Sequence, residues 1–197
     1  MDGLCMRILD VGSGGRPHAA ATHLCDAFEE NLERGSDLRL DGRPFVFADI
    51  ERLPFKTTSF GFVYAVHVLE HAAHPEAALR ELTRVSQAGY IETPTPFAER
   101  LYGWKNHRAT VSFRRGKFSF GPKIEPQRTL DMHRLYRIFP LWKAIHKGLD
   151  IVLNILYVRV KFAHEGNEVA METLGRGQAL YDLVHDPVRD GVGPPPN

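Results

Sequence analysis

The sequence predicts an α/β fold: a doubly wound, Rossmann-like sheet of mostly parallel strands, with a C-terminal cap or extension. Three observations point there. Short, near-continuous apolar runs recur through residue 96, they are separated by crossover-length segments, and they stop at or near glycine, acid, histidine or proline. Unbroken apolar runs, as opposed to alternating ones, mark parallel strands covered on both faces.

The elements follow in order. Arg7-Ile8-Leu9-Asp10-Val11 ends in Gly12, and the weaker run from Ala21 ends at Asp26. Pro44 to Ala48 ends at Asp49, Phe60 to Val66 ends near His67, and Gly89 to Thr93 ends at Pro94. Only one or two helical turns, starting near Pro17, fit between the first two strands. A helix is predicted over 75–85: Pro75 suits a first turn, and Ala78, Leu79, Leu82 and Val85 recur at helical spacing. After Pro96 the pattern changes. Thr110 to Phe120 reads as a hairpin turning at Arg115-Gly116, Leu130 to Gly148 as a helix interrupted at Pro140, and Ile155 to Phe162 as a strand. One domain is expected over 1–185, followed by a disordered Gly/Pro-rich tail, 186–197.

Composition narrows the function classes. A chain of 197 residues with 43% hydrophobic residues can bury one full core. Its net charge of +1 supplies no global attraction to nucleic acid or anionic membrane, so any basic site must be local. Cys5 and Cys25 have neither metal-type nor disulfide-type spacing, which suggests reduced thiols in a cytoplasmic protein. Met1 to Arg7 lacks a signal-peptide pattern. The apolar stretch Leu149 to Val160 is broken by Asp150, Asn154 and Arg159 and falls short of the roughly 20 apolar residues a membrane span needs.

The chemistry concentrates at the predicted strand ends. Ile8 to Gly15 is a strand running into a glycine turn, where backbone can approach a ligand closely. In open α/β sheets ligands sit beyond the carboxyl ends of the strands, at the point where strand order reverses. Asp26 lies fourteen residues beyond Gly12, near the position of an acid that accepts from ribose hydroxyls. With Asp10 and Asp49, it places acids at three strand ends.

The segments Asp10 to Gly14, Ala48 to Phe55, Ser59-Phe60 and Val66 to His71, with Glu81 to Val85 before the strand at Tyr90, resemble a class I S-adenosylmethionine (SAM)-dependent methyltransferase of the methyltransferase-11 type. The resemblance covers about Arg7 to Pro96, and it makes 1–96 the cofactor-binding half and 97–185 the substrate-side half. It implies SAM as cofactor and S-adenosylhomocysteine (SAH) as product. Asp10 would orient the glycine loop and the amino end of SAM, and Gly12, Ser13 and Gly14 would lie against its methionine moiety. Asp26 would hold the ribose, Asp49 the adenine amino group with Ile50 on the ring, and His67 and Val68 would line the pocket near the sulfonium. The sequence departs from the family in three places: the short stretch from Gly15 to Asp26, Gly61 after Phe60, and Gly15-Arg16-Pro17 in place of a third spaced glycine.

Methyl transfer from SAM needs no protein nucleophile, and a base only where the acceptor carries a proton. His67, His71, Glu92 and His107 are candidates; His107 as base with Glu92 orienting it is the leading pair. Residues 92–108, rich in polar and aromatic groups, are expected to form the acceptor pocket. The histidines and Glu70 lack HExxH or cysteine spacing, so no metal is expected. Arg114, Arg115, Lys117 and Lys123, interleaved with Phe113, Phe118 and Phe120, read as an exposed hairpin with one apolar face, the other reading being a nucleic-acid docking surface. Phe139 to Phe162 is expected to pack on the domain instead of lying on a membrane. The function expected is methyl transfer to oxygen or nitrogen of a small molecule. A non-catalytic SAM/SAH-binding partner or regulatory module is the first alternative, and an RNA or protein methyltransferase the second.

Overall fold

A computed structural model describes residues 6–27, 37–123 and 156–174. The helix expected over 130–148, the tail from 186, Cys5 and most of 139–162 lie outside them.

Strands β1 (Ile8–Val11), β2 (His23–Asp26), β3 (Phe45–Phe47), β4 (Phe60–Val66) and β5 (Ser86–Pro94) pair in parallel. Strand β8 (Tyr157–Glu165) runs antiparallel to β5 and β9 (Glu168–Thr173) antiparallel to β8, giving the order β3-β2-β1-β4-β5-β8-β9. The chain therefore forms the expected mostly parallel sheet, completed at one edge by a C-terminal hairpin. Sheet order reverses between β1 and β4, so the switch point lies at their carboxyl ends.

Strand periodicity divides the core. Leu9 and Val11 of β1, Val63 and Ala65 of β4 and Ile91 of β5 face one layer; Ile8, Tyr64 and Tyr90 face the other. The first layer takes Ala78, Leu82 and Val85 from helix α1 (Pro75–Val85). Hairpin β6 (Ala109–Arg114)–β7 (Lys117–Pro122) also packs there through Val111, Phe118 and Phe120. Its turn residues, Arg115 and Gly116, both have positive φ (52° and 76°), as a two-residue type I′ turn requires. Arg114, Arg115 and Lys117 are exposed. Phe118 and Phe120 pack, partly buried, against the core, which gives the hairpin one apolar face.

The structure departs from expectation in the β1–β2 crossover, where residues 12–22 contain no helix, only turns and bends. Hydrogen bonds replace the helix. Gly12 and Ser13 N–H donate to the Cys25 carbonyl (2.8 and 3.2 Å), and Arg43 Nη1 donates to the carbonyls of His18 and Ala21 (2.7 and 2.8 Å). Asp41 fixes the same guanidinium through Nε and Nη2.

Two glycines mark close approaches. A Cβ at Gly61, the departure from the family pattern, would stand 2.3 Å from Met6 Cγ and would displace that side chain. Gly89 of β5 is opposite Val63 of β4 and Phe162 of β8, and a Cβ there would stand 2.5 Å from the Phe162 ring and 2.6 Å from Val63. Gly89→Ala should therefore force the C-terminal hairpin away from β5 and cost about 1–3 kcal/mol, read as a lower midpoint in urea unfolding. Phe162→Leu in the same background should recover part of that loss.

Candidate functional site

A cleft of about 250 Å³ opens at the carboxyl ends of β1 to β4, near the lower end of the roughly 300–1,000 Å³ usual for small-molecule sites. Gly12 follows β1, Asp26 closes β2, Asp49 and Ile50 follow β3, and His67 and Val68 follow β4; all six line the cleft. His71, His74 and Arg108 form its other wall. Asp10, within β1, and Ser13 and Gly14, in the loop after it, are not part of this lining.

That loop is held by acids. Gly12 and Gly14 have φ of 73° and 50°, a region glycine enters freely. Gly14 N–H donates to Asp26 Oδ2 (2.9 Å), and His18 N–H donates to Asp10 Oδ2 (2.7 Å). Asp10 is only 6% exposed, and burial lifts its carboxyl to about 6, against a smaller opposing effect of the His18 hydrogen bond. Asp49 is exposed and caps its own turn, accepting from Glu51 N–H (2.9 Å). Glu51 in turn receives His74 N–H (2.7 Å) and contacts His74 Nδ1 (2.8 Å), a clasp across the lip of the cleft. Arg16, in the altered glycine loop, is exposed.

The expected Glu92–His107 pair does not form. Glu92, on β5, accepts from Tyr90 Oη (2.6 Å) and Arg159 Nε (2.9 Å) and lies 3.6 Å from His67 Nε2. His107 is 7% exposed, and its Nδ1 lies 2.6 Å from Glu99 Oε1. The physical reason is α2 (Pro96–Tyr102). Thr95 caps it by accepting Ala98 N–H (3.1 Å), Pro96 starts it, and Gly103 ends it in the left-handed conformation. One turn into this helix Glu99 meets the returning His107, while Glu92 remains on the strand. Thr95-Pro96 with Gly103 is the signal that could have identified α2.

Each member of the expected pair still reaches the cleft through a histidine. Glu92 contacts His67, and His107 packs edge-on against His71 (centroids 4.7 Å) with Trp104 stacked on its other side (4.9 Å). His67 has φ of 56°, an outlier of the kind that clusters at functional sites. It sits between Glu70 (3.3 Å) and Glu92. Burial lowers its pKa, but the hydrogen bond and charge of Glu70, with Glu92, outweigh this and leave it above the ordinary histidine value. Glu70 is fully buried; desolvation pushes its carboxyl up, yet His67 holds it below the ordinary range. Its Oε2 accepts from Thr93 Oγ1 (3.0 Å). Arg159, which holds Glu92 through Nε, is a residue of this network that motif spacing missed. It is 4% exposed, stacks over Tyr157 (5.1 Å) and was visible only as a charge inside an apolar run.

Residues 9–91 match the family model described as a methyltransferase domain. Solved structures similar to the chain include a [4+2]-cyclase, SpnF (24% identity, 46% of this chain and 39% of that one, TM-score 0.36). A SAM-dependent methyltransferase of Thermotoga maritima also matches (23%, 52% and 56%, 0.41), as does one of Mesorhizobium loti (19%, 60% and 57%, 0.37). The chain thus spans less than two thirds of each. No curated protein matches it. Among the described residues no helix is long and apolar enough to cross a membrane.

The buried Asp10 carboxyl makes stability depend on pH. Its folded pKa, about 6, exceeds the ordinary 3.8, so its contribution is fully present below 3.8 and lost as pH rises to about 6. At neutral pH the ionised form costs up to about 3 kcal/mol. Asp10→Asn should unfold at higher urea than wild type at pH 7, and the difference should vanish below pH 3.8.

Proposed function

We propose that this chain, whose residues 9–91 match a methyltransferase-domain family model, binds SAM in the strand-end cleft and transfers its methyl group to an oxygen or nitrogen of a small molecule. The observation that carries the reading is the coincidence of two independent lines. The family resemblance selects Asp10, Gly12, Ser13, Gly14, Asp26, Asp49, Ile50, His67 and Val68, and six of these nine, Gly12, Asp26, Asp49, Ile50, His67 and Val68, come from four strand ends to line one cleft at the switch point.

The residues present fit this cofactor. A Cβ at Gly12 would stand 2.4 Å from Val68 Cγ2, so only glycine permits this cradle. The Ser13 hydroxyl is buried with no hydrogen-bond partner among the described residues, a donor suited to a carboxylate. Asp10 provides an anion for an ammonium group. A carboxylate can accept several hydrogen bonds at once, so Asp26 and Asp49, both lining the cleft, suit ribose hydroxyls and an adenine amino group. Ile50, 7% exposed at the cleft, supplies an apolar surface for a ring.

When bound, SAM supplies a methyl group already activated by its sulfonium, so the chain's task is orientation and exclusion of water. His67, fixed between Glu70 and Glu92, shapes the wall near the reacting end. Glu92 and His107 act at one remove, through His67 and His71 respectively. Arg108, exposed on the opposite wall, brings the 92–108 segment to the cleft, and we assign that segment to acceptor binding.

Calorimetry with SAH and a methyl-transfer assay across small hydroxyl and amine acceptors test the proposal. Wild type should bind SAH and yield a methylated product. Asp49→Ala should weaken binding by about 10–100-fold, the worth of roughly 1.5–3 kcal/mol for a lost hydrogen bond to a charged group, and Glu92→Gln should lower kcat more than it weakens SAH binding. Absence of SAH binding sinks the proposal. Tight SAH binding without turnover on any acceptor would instead favour a non-catalytic SAM/SAH-binding module, a reading that the missing β1–β2 helix gives some ground for.

A further inference from the structure

We propose that Glu70, His71 and His107 bind a divalent transition-metal ion beside the cleft. One carboxylate oxygen of Glu70 and one ring nitrogen each of His71 and His107 lie within 4.8 Å of one another. An ion about 2.1 Å from each donor holds neighbouring donors roughly 3.0–3.4 Å apart, so closure of at most about 1.5–2 Å, by rotation of the half-buried His71, completes the set.

The three groups are assembled by the fold. Glu70 and His71 belong to the 3₁₀ turn after β4, and Arg108 N–H donates to the Glu70 carbonyl (2.7 Å), which locks the His107 segment against that turn. Glu70 is fully buried, and Thr93 Oγ1 on Oε2 (3.0 Å) fixes its rotamer.

The surroundings are those of a built metal site. Metal-ligating histidines commonly give their second ring nitrogen to a carboxylate, which sets the tautomer and raises basicity. Here Glu99, 3% exposed, holds His107 Nδ1 at 2.6 Å and leaves Nε2 as the ligating atom. Trp104 stacked on His107 shields that ring from water. Two imidazoles with one carboxylate suit zinc, iron or cobalt and are a poor match for the all-oxygen preference of magnesium or calcium. His71 lines the cleft, so an ion here is reached from it.

The test uses the full chain, stripped with chelator and titrated with Zn²⁺ and Co²⁺ without SAM. One equivalent should bind, with Co²⁺ producing the visible absorption of a nitrogen-liganded site. Glu99→Gln should weaken Zn²⁺ by roughly 10–100-fold, and His71→Ala and His107→Ala should each weaken it more. His164→Ala, an exposed imidazole on β8, should bind as wild type does. Because His107 is buried, circular dichroism accompanies each variant, and the half-buried His71 carries the test if His107→Ala unfolds. No stoichiometric Zn²⁺ binding by wild type, or unchanged affinity in a folded His71→Ala, overturns the proposal. Metal binding is read here without SAM, so its failure leaves the methyl-transfer reading intact.

Discussion

The cleft depends on one close approach, the backbone of Gly12 against the side chain of Val68. No larger residue fits at Gly12, because its φ of 73° and the 2.4 Å contact of an added Cβ both exclude one. This contact brings the loop after β1 down onto the loop after β4, on either side of the sheet reversal. It also allows the unusually direct return to β2. With the loop pinned at Gly12 to Val68 and Cys25, residues 12–22 need no helix, and Arg43 and Asp10 hold the rest. A βαβ crossover normally spends a dozen or more residues, usually on a helix; here hydrogen bonds to buried acceptors do that work.

The cost of this arrangement is buried charge. Asp10, Asp26 and Glu70 are all nearly inaccessible, and Glu92 is close to it. Each carboxylate has an answer from the chain: backbone N–H for Asp10 and Asp26, Thr93 and His67 for Glu70, Tyr90 and Arg159 for Glu92. For Asp10 the answer is incomplete, which is why burial still governs its protonation. Stability is given up at the strand ends where a ligand would recover it, as expected where local rules fail at functional sites.

The strands were legible because burial on both faces leaves apolar runs, and six of the cleft-lining residues because turn geometry and strand ends are local properties. β2, β3 and β5 differ from expectation only at their ends. Pairing between distant side chains was not legible. Sequence placed Glu92 and His107 together by polarity, but Glu99 reaches His107 because α2 intervenes. β9 was missed although Gly166-Asn167 separates it from β8, and Gly166 takes the positive φ (65°) such a turn needs. The helix expected near Pro17 failed for a tertiary reason, since Asp10 and Arg43 offer the loop's backbone better partners than a single helical turn would.

Arg159 shows how the two halves become one site. It lies on β8, far from the motifs in sequence, yet its guanidinium neutralises Glu92, which touches His67 at the cleft. An apolar residue at 159 would leave Glu92 buried without its cation, the costly way to break a buried pair. The carboxylate would then draw more strongly on His67, a cleft-lining residue held at positive φ. The C-terminal hairpin is therefore more than an added edge. It completes the charge balance at the Glu92 end of the cleft wall, which residues 9–91 alone do not supply.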